Sequence, residues 1–184
     1  MIFLIHSNLI KLQRNFILQS MQHELNIRTI EPGDNITLAK IIRDTLREFN
    51  AVKPGTVYDD DRTDHLSEVF KTPGSIYFVA EWNGEITGGG GIYPTENLPG
   101  GVCELVKLYL SPIARGKGIG KILMQKCIAA AKELGYKKIY LESMPELTIA
   151  IPMYEKLGFT HLPAAEGSSG HTGCTVWMIK DLEK

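Results

Sequence analysis

From Leu25 to Ile30 apolar and polar residues alternate, the two-residue period of a half-buried strand. Glu31-Pro32-Gly33 then turns the chain, and Leu38, Ile41, Ile42, Leu46 and Phe49 recur at helical spacing. Asp34 or Asn35 is placed to cap that helix, which is expected to run towards Asn50. A second short helix is expected from about Asp60 to Lys71, stopped by Pro73-Gly74. Ile76 to Ala80 and Glu85 to Thr87 read as strands joined across Asn83-Gly84, the turn chemistry of a two-residue hairpin. The run Gly88 to Gly91 marks a bulge or close backbone approach, or a flexible hairpin segment.

Val102 to Leu110 reads as a third strand, ended by Pro112. A helix starting near Gly116 to Ile119 gathers Ile119, Ile122, Leu123, Cys127, Ala130, Ala131 and Leu134 on one face, with Gly135 at its end. Lys138 to Glu142 is a strand, Leu147 to Leu157 a short helix ending at Gly158, and Cys174 to Ile179 a last strand. Helices and strands mixed in one core give an α/β or α+β class, with a mixed, mostly antiparallel sheet between helices.

Composition narrows the function classes. The chain of 184 residues is 43% hydrophobic and 22% charged, with a formal net charge of -1. That predicts one ordinary domain, over residues 25–184, and no basic field to recruit nucleic acid. Apolar stretches are broken before the length needed to span a bilayer. Cys103, Cys127 and Cys174 are widely spaced, so neither a disulfide framework nor a metal site is expected, and a reducing cytoplasm is the simplest location. Residues 1–24 form an extension whose first 23 residues carry no acidic group. It reads as a docked helix or as an upstream start with Met21 the real one; its apolar residues suit a homodimer interface.

The segment Leu108-Tyr109-Leu110-Ser111-Pro112-Ile113-Ala114-Arg115-Gly116-Lys117-Gly118-Ile119-Gly120-Lys121 carries the chemistry. A strand leads into a loop whose glycines let a ligand approach the backbone, and the free N–H groups of the helix start point at it. This is a phosphate-binding arrangement, with Arg115, Lys117 and Lys121 as cations at its rim. A Walker A loop fails, because Arg115 stands where its first glycine belongs and Ile122 follows Lys121. A dinucleotide fingerprint starts at Gly116-x-Gly118 but meets Lys121 in place of its third glycine.

Arg115-x-x-Gly118-x-Gly120 after that strand resembles the acetyl-CoA motif of the GNAT superfamily of N-acetyltransferases. Leu25 to Asp34 resembles the family's first strand and turn, and Met153-Tyr154-Glu155-Lys156-Leu157-Gly158-Phe159 its C-terminal helix signature. The resemblance implies that backbone N–H groups of Arg115, Gly116, Lys117, Gly118, Ile119, Gly120 and Lys121 hold the pyrophosphate of acetyl-CoA. It also implies that the main chain of Leu108, Tyr109 and Leu110, left free by a splayed neighbour, pairs with the pantetheine arm and polarises the thioester carbonyl. Tyr154 takes the place of the family's general acid, and Glu104 that of the glutamate base found in some members.

Strict alternation puts Glu104 on the face of Leu108 and Leu110, so a bulge or the strand splay decides where it points. Leu105 and Val106 beside it favour a raised pKa. An asparagine common in the family is here Leu147, with Ser143 or Glu142 as substitutes for its pantetheine contact. Asp59-Asp60-Asp61 reads as a solvated helix start or an attractor of cationic amines, and His171 as an ordinary loop histidine or a proton relay. The implied activity is direct transfer of an acetyl group to a primary amine of a small molecule or peptide. The alternative is a non-catalytic CoA-binding module of the same fold.

Overall fold

A computed structural model of the chain describes residues 24–183; the expectations for the extension fall outside these residues. The strands are β1 (Leu25–Thr29), β2 (Ile76–Trp82), β3 (Glu85–Tyr93), β4 (Val102–Leu110), β5 (Lys138–Ser143), β6 (Thr160–Leu162) and β7 (Val176–Asp181). The helices are α1 (Asn35–Glu48), α2 (Leu66–Val69), α3 (Ile119–Glu133) and α4 (Ala150–Lys156). The strands form one sheet in the order β1-β2-β3-β4-β5-β7-β6, in which only β4 and β5 run parallel.

Each face of the sheet buries a helix. Leu38, Ile42 and Leu46 of α1, one face of a 3.6-residue period, pack with Tyr77, Val79 and Met144. On the opposite face Met124, Cys127 and Ala131 of α3 meet Cys103, Leu105, Ile139, Leu141 and Met178. Each fully buried leucine or isoleucine contributes roughly 1.5–3 kcal/mol, so both helices are held firmly against the sheet. The α3 face differs from the expected stripe: Met124 is buried while Ile122 and Leu134 reach solvent. Asp34 does precede α1, but its carboxyl takes two bonds from Arg28 and one from the Glu31 N–H.

The second expected helix is a 3-10 turn, Asp61–His65, running into α2, and Asp60 caps it by accepting from the Arg62 N–H at 2.9 Å. The glycine run lies inside β3. A Cβ at Gly89 would fall 2.5 Å from the Tyr77 ring, and one at Gly90 the same distance from Leu108. The run therefore admits large side chains over the middle of the sheet, the close-approach reading.

Strand β4 is irregular in two places. Gly91 pairs with Val106 and Gly89 with Tyr109, so β4 holds one extra residue. That residue is Lys107, at φ 51, its carbonyl pinned by the Tyr77 hydroxyl at 2.9 Å. The bulge reverses the parity of the strand, so Glu104 shares a face with Val106 and Tyr109 and not with Leu108 and Leu110. The second irregularity is a split. β4 and β5 pair from Val102↔Lys138 to Leu105↔Leu141; past that point β5 stays with β7 and β4 with β3.

Candidate active site

The split opens a groove of about 220 Å³ between the end of β4, the start of α3 and α4. Leu108, Tyr109, Leu110, Arg115, Gly116, Gly118, Ile119, Gly120 and Lys121 all line it, which leaves Lys117 as the one sequence-expected cofactor residue outside its lining. Gly118 precedes α3 at φ 77, and Gly116 stands at φ 72. Nothing lies within 4 Å of where a Cβ would sit on either. The left-handed backbone selects glycine at both positions, and the space beside each is open. The first bond of the helix runs from the Ile122 N–H to the Gly118 carbonyl, so the N–H groups before it face out of the helix end.

The three rim cations part company here. Arg115 turns its guanidinium away, donating to Glu48 at 2.5 Å and to the Leu110 carbonyl at 3.0 Å, with the Phe49 ring beneath it. It braces the end of β4 against α1 and leaves its backbone to the loop. Lys117 lies over the Trp82 ring, 5.9 Å from its centre, and Lys121 is exposed without an ion pair among the described residues. Leu147 lines the groove where the family's asparagine was sought, while the Ser143 Oγ is buried without a hydrogen-bond partner among the described residues.

Behind the groove a small cavity continues through the split, sharing Tyr109 and Leu147 with it. The cavity in turn shares Glu104, Lys107 and His171 with a cleft of about 370 Å³ on the far side of the bulge. Glu104 lines both the small cavity and the cleft. It is 3% exposed and accepts one hydrogen bond, from the Thr95 hydroxyl at 2.5 Å. Burial is the main force that pushes its carboxyl up to about 7; the nearby Glu142 charge adds to this, and the Thr95 bond opposes it. Oxygens of Glu104 and Glu142 and a ring nitrogen of His171 lie within 4.8 Å of one another. Glu142 is held by the hydroxyls of Tyr140 and Ser169, each at 2.8 Å.

His171 comes to the floor of the cleft because the loop before β7 folds over it, and its Nε2 stands 3.5 Å from Asp60. Asp60 is no solvated loop charge. Burial alone would push its carboxyl up, but bonds from His171 and from the Lys107 ammonium, 2.7 Å away, hold it well below the usual carboxylate range. Lys107, in turn, is buried and also donates to the Thr63 hydroxyl at 3.0 Å. Sequence reasoning missed Thr95 and Lys107. For Lys107 a signal existed, since adjacent apolar Leu105 and Val106 break the alternation just before it; Thr95, in an irregular turn, has none.

Tyr154 lies on α4, 6% exposed, its ring 6.0 Å from that of Phe159. It belongs to the α3 side of the sheet and Glu104 to the other, so the two do not touch; their approach is through the split. The residues beside it, Ala150 and Met153, line the groove. Its hydroxyl makes no hydrogen bond among the described residues, and burial pushes the phenol above its ordinary value. Tyr109, reaching the split from the other face, is close enough to be influenced by it electrostatically.

Residues 38–159 match the model of the acetyltransferase (GNAT) family. YjgM of Escherichia coli K12, described as an uncharacterized N-acetyltransferase, is 39% identical over 157 residues, which cover 85% of this chain and 94% of its own. The chain belongs to the GNAT acetyltransferase family. Among solved structures, a GNAT-family acetyltransferase from Staphylococcus aureus Mu50 superposes with a TM-score of 0.77 at 20% identity, covering 86% of this chain and 99% of its own. Another, yncA from Salmonella typhimurium solved with its cofactor acetyl-CoA, gives 0.69 at 21% identity, covering 88% and 95%. Family and fold thus agree with the expectation from the three sequence blocks, and the chain is an acyltransferase by family. No helix among the described residues is long and apolar enough to cross a membrane.

Proposed function

We propose that the chain moves the acetyl group of acetyl-CoA directly to a primary amine of a small molecule or peptide, with donor and acceptor bound together. The observation that carries this reading is the row of three adjoining spaces, the glycine groove, the small cavity and the charged cleft, each sharing lining residues with the next and with Glu104 lining the second and third. Two substrates entering from opposite ends meet at the bulge, which is the geometry a one-step transfer needs.

The groove fits acetyl-CoA on two features of its own, open space beside two left-handed glycines and a helix start presenting N–H groups, and the orphaned Ser143 hydroxyl lies in the small cavity next to it. The N–H groups of Arg115 to Lys121 would hold the pyrophosphate, and the main chain of Leu108 to Leu110, unpaired on its β5 side, would take the pantetheine. The bound donor supplies an activated acyl thioester. Glu104, ionised above about pH 7, accepts a proton from the attacking amine directly or across one water. The amine nitrogen bonds to the acyl carbon as the carbon–sulfur bond breaks. Tyr154, kept neutral by burial, donates to the departing sulfur.

Titration calorimetry with acetyl-CoA, followed by product detection over amines, amino acids, polyamines and peptide N-termini, tests the reading. Tyr154→Phe should bind acetyl-CoA as the wild type does and turn over about 10- to 100-fold more slowly. Binding without transfer to any amine would favour the CoA-binding module, and no binding would remove both.

A further inference from the structure

Of the five described arginines, four are spent on carboxylates: Arg28 on Asp34 and Glu81, Arg43 on Asp64, Arg47 on Asp44 and Arg115 on Glu48. Arg62 is the exception. Its guanidinium lines the cleft on the far side of the bulge, lies 5.0 Å from the centre of the Tyr93 ring, and has no ion pair among the described residues. The ring holds the guanidinium plane without using its fork of N–H donors. Its backbone is fixed as well, because the Arg62 N–H donates to Asp60, and Asp60 is anchored to Lys107 below.

The other cations of the cleft are occupied. Lys107 directs two of its three N–H donors to Asp60 and Thr63 and pairs its charge with Asp60, and His171 stands beside Asp60. Glu96 lines the same cleft but makes no ion pair with Arg62. The cleft therefore presents one unspent cation at its mouth and one proton-accepting carboxyl, Glu104, at its floor. Both line this cleft together with Lys107. Between them Val69, Phe70 and Tyr93 form an apolar wall. An ammonium group directed to Glu104, an anion on Arg62 and a carbon skeleton against that wall describe one class of molecule.

We propose that the acceptor is an amine that also carries a carboxylate, a free amino acid or an amino-acid conjugate, and that Arg62 reads the carboxylate. This rests on the acetyl-transfer reading above and narrows its substrate class. A planar guanidinium matches a carboxylate with two parallel bonds, which a lone ammonium does not. The same fork would repel a diamine or a second lysine-like cation, so selection comes from repulsion as well as attraction.

The test compares L-amino acids with their C-terminal amides, pair by pair, and with an aliphatic diamine, at saturating acetyl-CoA. The amide's amine is the less basic of each pair and has more free base at neutral pH, so a preference for the acid cannot arise from the amine itself. The wild type is expected to favour the acid over the amide about 10- to 100-fold in kcat/KM, the range of one charge-assisted hydrogen-bonded pair. Arg62→Gln is expected to collapse that ratio towards one, and Arg62→Lys to restore part of it, while acetyl-CoA affinity reports that both variants are folded. Equal rates for acids and amides, a diamine as the better substrate, or a ratio unmoved by Arg62→Gln would each overturn the inference and leave acetyl transfer standing. Failure of every amine, or of acetyl-CoA to bind, would take the transfer reading down with it.

Discussion

The glycine groove and the charged cleft adjoin the same small cavity, yet they are built in opposite ways. The groove is made of backbone: N–H groups at the start of α3, the unpaired edge of β4, and glycines that keep side chains out. The cleft is made of side chains drawn from separate loops, with Asp60 and Arg62 before α2, Thr95 after β3 and His171 before β7. A backbone site needs a particular chain path and tolerates Leu108 or Leu110 as readily as polar residues. A side-chain site needs particular residues and tolerates many paths. The first suits a ligand recognised by its shape along the chain, the second a ligand recognised group by group.

That contrast can be broken most severely at the junction. Glu104→Gln should lower kcat/KM by about 100- to 1000-fold and remove the acidic limb of its pH profile. The sign follows from the base being the ionised form: below about pH 7 Glu104 binds a proton and the rate falls, above it the rate levels off. An acidic limb that persists in Glu104→Gln belongs to another group and sinks the assignment.

A smaller effect is expected on the groove side. Gly118→Val places a branched side chain at φ 77 and into the open space beside it, and should weaken acetyl-CoA binding by at least about 10-fold. The left-handed backbone adds a stability cost of about 1–2 kcal/mol. Calorimetry on the folded variant separates the two. Unchanged affinity would mean that the ligand does not approach this turn.

The smallest effect probes the cleft's electrostatics. The Thr95 hydroxyl favours the ionised form of Glu104, so Thr95→Val should move the acidic limb to higher pH, by about one pH unit, and leave the plateau rate near that of the wild type. A limb that stays in place would show that burial alone sets the value.

The order and type of the major elements, the Asn83-Gly84 hairpin and the glycine loop were legible in the sequence, because each depends on residues close together in the chain. Strand alternation, helical spacing and left-handed turns are local properties, and Val102–Leu110 was read to its observed bounds for that reason. Three-residue β6 was not, being too short to show a period. Nor was the direction of Glu104 legible. Strict alternation sends it towards Leu108 and Leu110, and one extra residue at Lys107 sends it the other way, a choice made by pairing with β3. Arg115 looked like a phosphate ligand until α1 brought Glu48 beside it. Asp60 looked solvated until folding set it against Lys107 and His171. Local sequence alone located the glycine-lined backbone groove at the start of α3. Which side chains line the charged cleft was decided only by the tertiary structure, because the charges that meet there are far apart along the chain and acquire their protonation and pairing from burial.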